Sequence, residues 1–242
     1  GRLRTPKKID RLLSSGIHSL TISLDGFQQD HNGMRGDELS FQCATKAIEI
    51  LAKEPSIKFD VVTCANNRNY DSLEDFKEYL ISLGLKDWRI FTVFPNGRAA
   101  NDPELQLSKE RFRGVMEFIK KTRKEGRINL SYGCEGFLGE YEGYVRDHFY
   151  TCQAGLSVAS VLIDGSISAC TSIRSNYKQG NIYTDDFIDV WENRFAVYRD
   201  REWMKKDLCG DCKWFRYCQG NGMHLRDEDG SLKLCHIERL YK

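Results

Sequence analysis

Four cysteines near the carboxyl terminus are spaced as the ligands of one inorganic centre. Cys209 and Cys212 form a C-x2-C pair, Cys218 follows after five intervening residues, and Cys235 after sixteen more. A C-x2-C pair places two thiolates on one turn, and the two later cysteines complete a set of four sulfur ligands. Four thiolates suit a zinc ion and a [4Fe–4S] cluster equally well on chemistry alone. The spacing therefore predicts a metal centre and leaves the metal open.

A second pair of cysteines flanks a predicted β-hairpin. Cys152 precedes and Cys170 follows Asp164-Gly165, a dipeptide typical of two-residue hairpin turns. Cysteines on the approach to a hairpin and at its exit can present two ligands to one centre. Two buried thiols that bind nothing explain the same spacing, so this pair alone leaves both interpretations open.

Composition indicates a thiol-rich globular protein of a reducing compartment. The chain has 242 residues, with 36 Lys+Arg against 35 Asp+Glu. The near-zero net charge gives no broad field for nucleic acid or an anionic membrane, and no apolar run approaches the roughly 18 residues of a membrane span. Nine cysteines, five of them between Cys170 and Cys235, favour a local metal site in a reducing cytoplasm over a disulfide framework.

The elements that must position these cysteines divide into two parts, with a predicted boundary between residues 125 and 126. In residues 1–125, strand and helix signals alternate, which predicts a parallel sheet with functional loops at the carboxyl ends of its strands. The predicted strands are residues 20–24, 57–63 and 88–94. The predicted helices cover residues 1–15 and 41–51, begin at Asp71 with a capping box to Glu74, and run from a Ser108 cap to Gly126.

The chain opens on a helix whose preceding strand is missing, so the first part is expected to be the later part of a (β/α) barrel. In residues 126–242, strand and helix signals no longer alternate regularly. They predict a small, irregular α+β, cysteine-rich domain with a hairpin over residues 158–169 and a short helix around residues 187–191. The fold class is therefore α/β, a partial TIM-like barrel followed by this second domain.

Together, the cysteine spacings resemble the SPASM domain, the cysteine-rich extension of radical S-adenosylmethionine (SAM) enzymes. That family's pattern is C-x9–15-G-x4-C, then C-x2-C-x5-C-x3-C, and a final C. The matching residues are Cys152, Gly165 and Cys170 for the first part, and Cys209, Cys212, Cys218 and Cys235 for the second. The resemblance implies that the last four cysteines hold a complete auxiliary [4Fe–4S] cluster.

One position departs from the family pattern. Gly222 stands where the pattern has its x3-C cysteine, a ligand of the first auxiliary cluster in the family. The resemblance assigns Cys152 and Cys170 to that first site, and Cys134 could bring it to three thiolates. His224 is a candidate fourth ligand, with an ordinary loop histidine as the alternative. The first site is therefore expected to be three-liganded, to hold another metal, or to be absent.

The first half resembles the barrel of the same enzymes. Ser23-Leu24-Asp25-Gly26, His31 and Arg35-Gly36 match an SxDG…H…RG segment at the fourth barrel strand. By this resemblance Ser23 and Arg35 would contact the amino-acid part of SAM, since an arginine can hold a carboxylate bidentately. Residues 63–69 and 95–98 resemble the family's segments after the next two strands. Without the cysteine pattern of the second half, the favoured interpretation is a turn at Asp25-Gly26 and a surface charge at Arg35.

The CxxxCxxC motif of the SAM-cleaving cluster does not occur in the sequence. We therefore expect the chain to be the C-terminal part of a longer radical SAM/SPASM enzyme and to be inactive alone. The resemblance implies that the parent forms a 5′-deoxyadenosyl radical and modifies a peptide or protein, with flavodoxin or ferredoxin as reductant. The segment CQGNGMH resembles a subgroup associated with small lipoprotein partners.

A non-catalytic module fastened by zinc at the same four cysteines is the alternative from a different class. Nucleic-acid binding through a zinc knuckle would require a basic patch, which the balanced charge does not favour. Cys43 and Cys64 match no ligand position and are interpreted as packed thiols. The sequence identifies no catalytic base.

Overall fold

The structure, a computed structural model, describes residues 6–133 and 135–242. The chain folds into two compact units. The first comprises Gly1–Val93, Arg98–Gly133 and Gly143–His148, and the second comprises Phe94–Gly97, Cys134–Glu142 and Phe149–Lys242. The boundary at residues 125/126 stays a prediction.

The first unit is a mixed α/β structure built on a parallel sheet. Its elements in chain order are α1 (Pro6–Leu13), β1 (Ser19–Ser23), α2 (Gln28–Arg35), α3 (Ser40–Leu51), β2 (Lys58–Ala65), α4 (Leu73–Ser82), β3 (Asp87–Thr92), α5 (Lys109–Glu125) and β4 (Asn129–Tyr132). The strands lie side by side in sequence order, each parallel to the next. The α/β class and the three predicted strands are confirmed. β4 was not predicted, because four residues are too few to show a clear period.

Alternation along the strands decides which face of the sheet is buried. Trp88 and Ile90 of β3 are fully buried, and the Trp88 ring packs edge-on against Phe76 of α4 with centroids 5.9 Å apart. Burying one such side chain contributes about 1.5–3 kcal/mol. The opposite face carries a polar row, in which Asp60 accepts hydrogen bonds from Thr21 and Arg89. Ser23 ends β1 on this polar face, because it lies two residues after Thr21.

Helix ends follow the predicted signals at one helix and depart from them at another. Ser108 caps α5 by accepting a hydrogen bond from the amide of Arg111 over 3.2 Å, and Gly126 ends the helix with φ 69°. The predicted capping box at Asp71 is wrong. A 3-10 turn over Tyr70–Ser72 precedes α4, and the Asp71 carboxylate instead pairs with Arg111 over 2.8 Å.

The second unit consists of short elements joined by long irregular segments. Its elements are β5 (Ser160–Val161), β6 (Ser166–Ser168), β7 (Gly180–Asn181), α6 (Phe187–Asn193), α7 (Ala196–Arg199), α8 (Phe215–Cys218) and α9 (His236–Tyr241). β5 and β6 form the predicted hairpin, with Val161 opposite Ile167, and Gly165 in its turn has φ 79°. The predicted short helix is α6. Among the described residues, no helix combines the length and the hydrophobicity that crossing a bilayer demands.

Candidate metal centre

A single turn brings Cys209 and Cys212 together. A 3-10 helix covers Asp207–Cys209, and its winding continues because the amide of Cys212 donates to the carbonyl of Cys209 over 3.4 Å. Residues three apart in a 3-10 turn place their side chains on the same side. The C-x2-C spacing therefore presents two thiols in one direction.

Three successive residues with positive φ reverse the chain after Cys218. Gln219, Gly220 and Asn221 have φ values of 49°, 79° and 74°. The left-handed conformation costs a non-glycine residue about 1–2 kcal/mol. The side-chain amide of Asn221 offsets part of this cost by donating to the carbonyl of Leu234 over 3.0 Å. The turn after Cys218 is thereby tied to the residue that precedes Cys235.

An antiparallel bridge folds back the long segment between Cys218 and Cys235. Arg226 pairs with Leu232, and the amide of Lys233 donates to the carbonyl of Leu225 over 2.9 Å. Because the segment doubles back on itself, its two ends return to the same region. Sixteen intervening residues are therefore compatible with one site.

The four tail cysteines all line one cavity of about 500 Å³. The side chains of Trp214 and Ile237 also line it. Cys209 is buried, and the other three thiols are half-buried. Within residues 6–133 and 135–242, no group of three or more His, Cys, Asp or Glu side chains is placed to hold a single metal ion. The thiols share a cavity without being gathered around one point.

Burial and mutual proximity raise the pKa of two of these thiols. Burial is the largest cause for Cys218, and the neighbouring thiols, Cys235 first among them, add to it, so its pKa is raised to about 12. Burial also raises the pKa of Cys235, with further contributions from Cys209 and Cys212. A metal ligand must be a thiolate, so binding requires that these protons be released. Soft thiolates select iron–sulfur clusters or zinc, and this donor set fits either group.

The structure does not bring the residues of the first predicted site onto one cavity. Cys152 lines a smaller cavity of about 190 Å³ together with Cys218 and Arg201. Cys170 packs against the hydrophobic cluster of the second unit and lines neither this cavity nor that of the tail cysteines. Cys134 lies outside the described residues. This ligand set stays a prediction.

The imidazole of His224 fills the space beside Gly222. A Cβ atom on Gly222 would lie 2.6 Å from Cε1 of His224 and 3.1 Å from the carbonyl oxygen of Glu135. The His224 ring also packs on Phe94 with centroids 4.9 Å apart, and burial lowers its pKa to about 4. Gly222, which replaces the family's cysteine, has no side chain and so leaves room for the neutral ring of His224.

Ser23 and Asp25, the ion-pair partner of Arg35, lie at the carboxyl end of β1. Ser23 is exposed at the last position of the strand. Arg35, at the end of α2, forms an ion pair with Asp25, two residues after Ser23, with Nη2 2.6 Å from Oδ2. The predicted contact of Ser23 and Arg35 with the amino-acid part of SAM stays a prediction.

Asp25 is a residue of this region whose role the sequence analysis did not assign. Its side chain is 1% exposed, and its Oδ1 accepts the amide hydrogen of Cys64 over 3.0 Å. Burial raises the pKa of Asp25, but the neighbouring His31 and the charge of Arg35 outweigh burial and lower it below its ordinary value. The presence of His31 six residues after Asp25 could have indicated this role. Nδ1 of His31 accepts the amide hydrogen of Asp25 over 3.0 Å.

The loop after β2 closes the same end of the sheet. Asn69 donates from Nδ2 to the carbonyl of Asp25 over 2.7 Å, and its Oδ1 accepts the amide hydrogen of Asn66 over 2.9 Å. Asn66 and Asn69, two of the three asparagines in the segment at residues 63–69, thus join the ends of β1 and β2. The Arg98 side chain of the other matching segment lies outside the described residues.

Cys43 and Cys64 belong to the first unit. Cys43 belongs to α3 and Cys64 to β2, and both are half-buried. None of the eight described cysteines forms a disulfide. The interpretation of these two as packed thiols agrees with their burial.

Comparison with known proteins finds one family profile and several curated relatives that are similar to this chain. A family profile described as the SPASM iron–sulfur cluster-binding domain matches residues 152–213. An AdoMet-dependent heme synthase of Methanosarcina barkeri is 26% identical over 238 residues, covering 91% of this chain and 66% of that protein. The mycofactocin maturase MftC of Mycolicibacterium smegmatis is 25% identical over 228 residues, covering 90% of this chain and 56% of that protein.

Solved structures share the fold at low sequence identity. The anSMEcpe structure with bound AdoMet and Cp18Cys peptide superposes with a TM-score of 0.69 at 18% identity, covering 97% of this chain and 68% of that one. Streptococcus suis SuiB bound to its precursor peptide SuiA gives 0.62 at 15% identity, covering 91% and 53%. This chain therefore spans between about half and two thirds of these proteins.

Proposed function

We propose that this chain, which belongs to the radical SAM/SPASM family, holds an auxiliary [4Fe–4S] cluster on Cys209, Cys212, Cys218 and Cys235. The observation that carries the proposal is that these four thiols line one cavity. When bound, such a cluster supplies one-electron transfer or a contact to substrate. The same four residues are the ones that the family spacing assigns to a complete site.

The residues around the cavity suit the task of holding such a group. Trp214 and Ile237 line the cavity with apolar surface, which limits the access of water to the sulfurs. Asn221 fixes the backbone on both sides of the site through its bond to Leu234. The protons on Cys218 and Cys235 must leave on binding, so we expect assembly to be favoured at higher pH.

The second part of the proposal concerns SAM. Ser23 and Arg35 would contact its amino-acid portion at the carboxyl end of β1, in an intact enzyme that also contains a CxxxCxxC segment. Asp25 would hold the guanidinium of Arg35 at this position through its 2.6 Å ion pair. Residues at the carboxyl ends of parallel strands are the usual place for such a ligand.

A peptide or protein is the proposed substrate of the intact enzyme, which would form a 5′-deoxyadenosyl radical from SAM. Support comes from the relative named as a maturase and from the superposed structures that contain bound peptides. A small lipoprotein as the substrate, and flavodoxin or ferredoxin as the reductant, complete the proposal. Cys152, Cys170 and Cys134 form the proposed first auxiliary site, in which Gly222 replaces a ligand.

A tetrapyrrole is the second candidate substrate, because an AdoMet-dependent heme synthase and an Fe-coproporphyrin III synthase of M. barkeri are both relatives. The two candidates differ in optical signature. Titration of the chain with iron coproporphyrin gives a shifted Soret band if a tetrapyrrole binds. An unchanged Soret band together with saturable binding of a labelled peptide favours the first candidate.

Visible absorbance of anaerobically prepared variants tests the cluster proposal. We expect the wild-type chain to be brown after reconstitution with iron and sulfide, and Cys218→Ser to lose most of that absorbance. Cys43→Ser makes the same chemical change outside the site and should retain the colour. A colourless wild-type chain that binds zinc would support the zinc-fastened module instead.

A further inference from the structure

Arg226 is a fully buried arginine that contacts a proposed cluster ligand directly. Its side chain is 2% exposed, and its Nη2 lies 3.2 Å from Sγ of Cys209, to which it donates a hydrogen bond. Cys209 is itself 8% exposed. The contact is therefore shielded from water, where a charge acts more strongly than at a surface.

The remaining donors of the guanidinium go to carbonyl oxygens. Nε and Nη2 donate to the carbonyl of Gly220 over 3.0 and 2.8 Å, and Nη1 donates to that of Gly230 over 2.7 Å. None of the hydrogen-bond partners of Arg226 among the described residues is a carboxylate. A buried cation without an anion is costly, and the only partner here that can become an anion is the sulfur of Cys209.

The backbone holds the guanidinium in one orientation. Gly220 has φ 79°, and a Cβ on it would lie 3.0 Å from Nη2 of Arg226 and 2.6 Å from Sδ of Met204. The hydrogen bonds to the carbonyls of Gly220 and Gly230, and the close packing of Gly220 against Nη2, hold the guanidinium of Arg226 in place. Arg226 is thus positioned against the sulfur by the turn that follows Cys218.

We propose that Arg226 is a positioning residue that raises the reduction potential of a cluster held at Cys209. This inference rests on the proposed function of the tail cysteines. Reduction adds one electron to the oxidised cluster and gives it one more negative charge. A fixed positive charge and an N–H donor at a ligand sulfur stabilise that reduced state relative to the oxidised one. The electron comes from a low-potential one-electron donor, for which dithionite serves in the test.

A redox titration followed by electron paramagnetic resonance tests the inference. We would use the full chain carrying Cys152→Ser and Cys170→Ser, so that iron and sulfide are confined to the tail. At the wild-type midpoint potential, we expect Arg226→Gln to lower the ratio of reduced to oxidised cluster by at least tenfold. For a one-electron couple this is a shift of about 59 mV to more negative potential.

Arg199→Gln is the control. The Arg199 guanidinium also donates to three carbonyls, those of Gly155, Glu192 and Trp191, with no sulfur among them. Arg199 lines neither the cavity of the tail cysteines nor the smaller one. Its substitution should leave the redox ratio within about twofold of wild type. An Arg226→Gln chain with full iron and sulfide and an unchanged ratio would overturn the inference.

Arg226→Met covers the case in which the glutamine variant does not retain iron. Methionine has a long, flexible side chain but neither the charge nor an N–H donor, so we expect the ratio to fall by about tenfold or more. An unchanged ratio in a loaded methionine variant also overturns the inference. A wild-type chain that takes up no iron and sulfide overturns the proposed cluster itself, which separates the two failures.

Discussion

The imidazole of His224 lies where a side chain on Gly222 would have to go, with Cε1 only 2.6 Å from the position of a Cβ atom. Gly222 has φ −70° and ψ 138°, a conformation open to any residue. Glycine is therefore required here by the close approach of His224 and not by the backbone conformation.

Restoring the family's cysteine should consequently destabilise the chain. We expect Gly222→Cys to lower the free energy of unfolding by about 1–3 kcal/mol, as overpacking does. Adding His224→Ala removes the obstructing ring, so the double variant should be more stable than the sum of the two single changes. Urea unfolding of the four proteins measures this coupling. Strict additivity would show that His224 does not limit the space at this position.

The hairpin glycine combines two constraints that can be separated. Gly165 has φ 79°, and a Cβ there would lie 2.5 Å from the Tyr183 ring. Gly143 has a similar φ of 81° with nothing within 4 Å of a Cβ. We expect Gly143→Ala to cost about 1–2 kcal/mol from conformation alone, and Gly165→Ala to cost more. Equal costs in thermal or urea unfolding would contradict the steric contribution of Tyr183.

The side chain of Asn221, a residue with positive φ, should slow the release of iron from the proposed cluster. Asn221→Gly relieves the cost of the positive φ, about 1–2 kcal/mol, but removes the hydrogen bond to Leu234, about 1 kcal/mol. We therefore expect little change in the free energy of unfolding and faster release of iron to a chelator. Gln219→Gly makes a similar change at an exposed residue of the same turn and should not accelerate release. Matching release rates for the two variants would argue against a role for the Asn221 side chain.

The ion pair of Asp25 predicts a pH-dependent contribution to stability. The pKa of Asp25 in the folded chain is below its ordinary value, so the carboxylate stabilises the fold at pH values above the unfolded pKa of about 3.9. This contribution is lost as pH falls through the folded pKa. We expect Asp25→Asn to cost about 1.5–3 kcal/mol between pH 5 and 7, since it removes a charged hydrogen-bond partner, and less below about pH 4.

Asp71→Asn serves as the control for Asp25, because Asp71 pairs with Arg111 at an exposed site. An exposed pair contributes at most about 1 kcal/mol. Chemical unfolding at pH 7 and pH 3.5 compares the two variants. A cost for Asp25→Asn that stayed constant down to pH 3.5 would contradict the lowered pKa.

Local signals in the sequence predicted the elements that local physics determines. The alternation around Trp88, the Ser108 cap and the Asp164-Gly165 turn each depend on neighbours within a few residues, and each is present in the structure. The capping box at Asp71 did not form because the Asp71 carboxylate pairs with a residue that is distant in sequence. Arg111, forty residues away, pairs with it.

The sequence was enough to predict the cysteines of the candidate site, but not the residues that surround them. Cysteine spacing pointed to the four thiols that share a cavity. Spacing could not show that Arg226 reaches Cys209, because the contact depends on the turn at Gln219–Asn221 and the return of the chain at Leu232. The role of Asp25 was missed for a similar reason, since its partners come from α2 and β2.

The most direct test of the central claim is the metal and sulfide content of the chain purified without exposure to air. The proposed cluster predicts at least about four irons and four acid-labile sulfides per chain, with most of this content lost in Cys218→Ser and kept in Cys43→Ser. A chain that instead contains about one zinc, with neither iron nor sulfide after reconstitution, would contradict the claim.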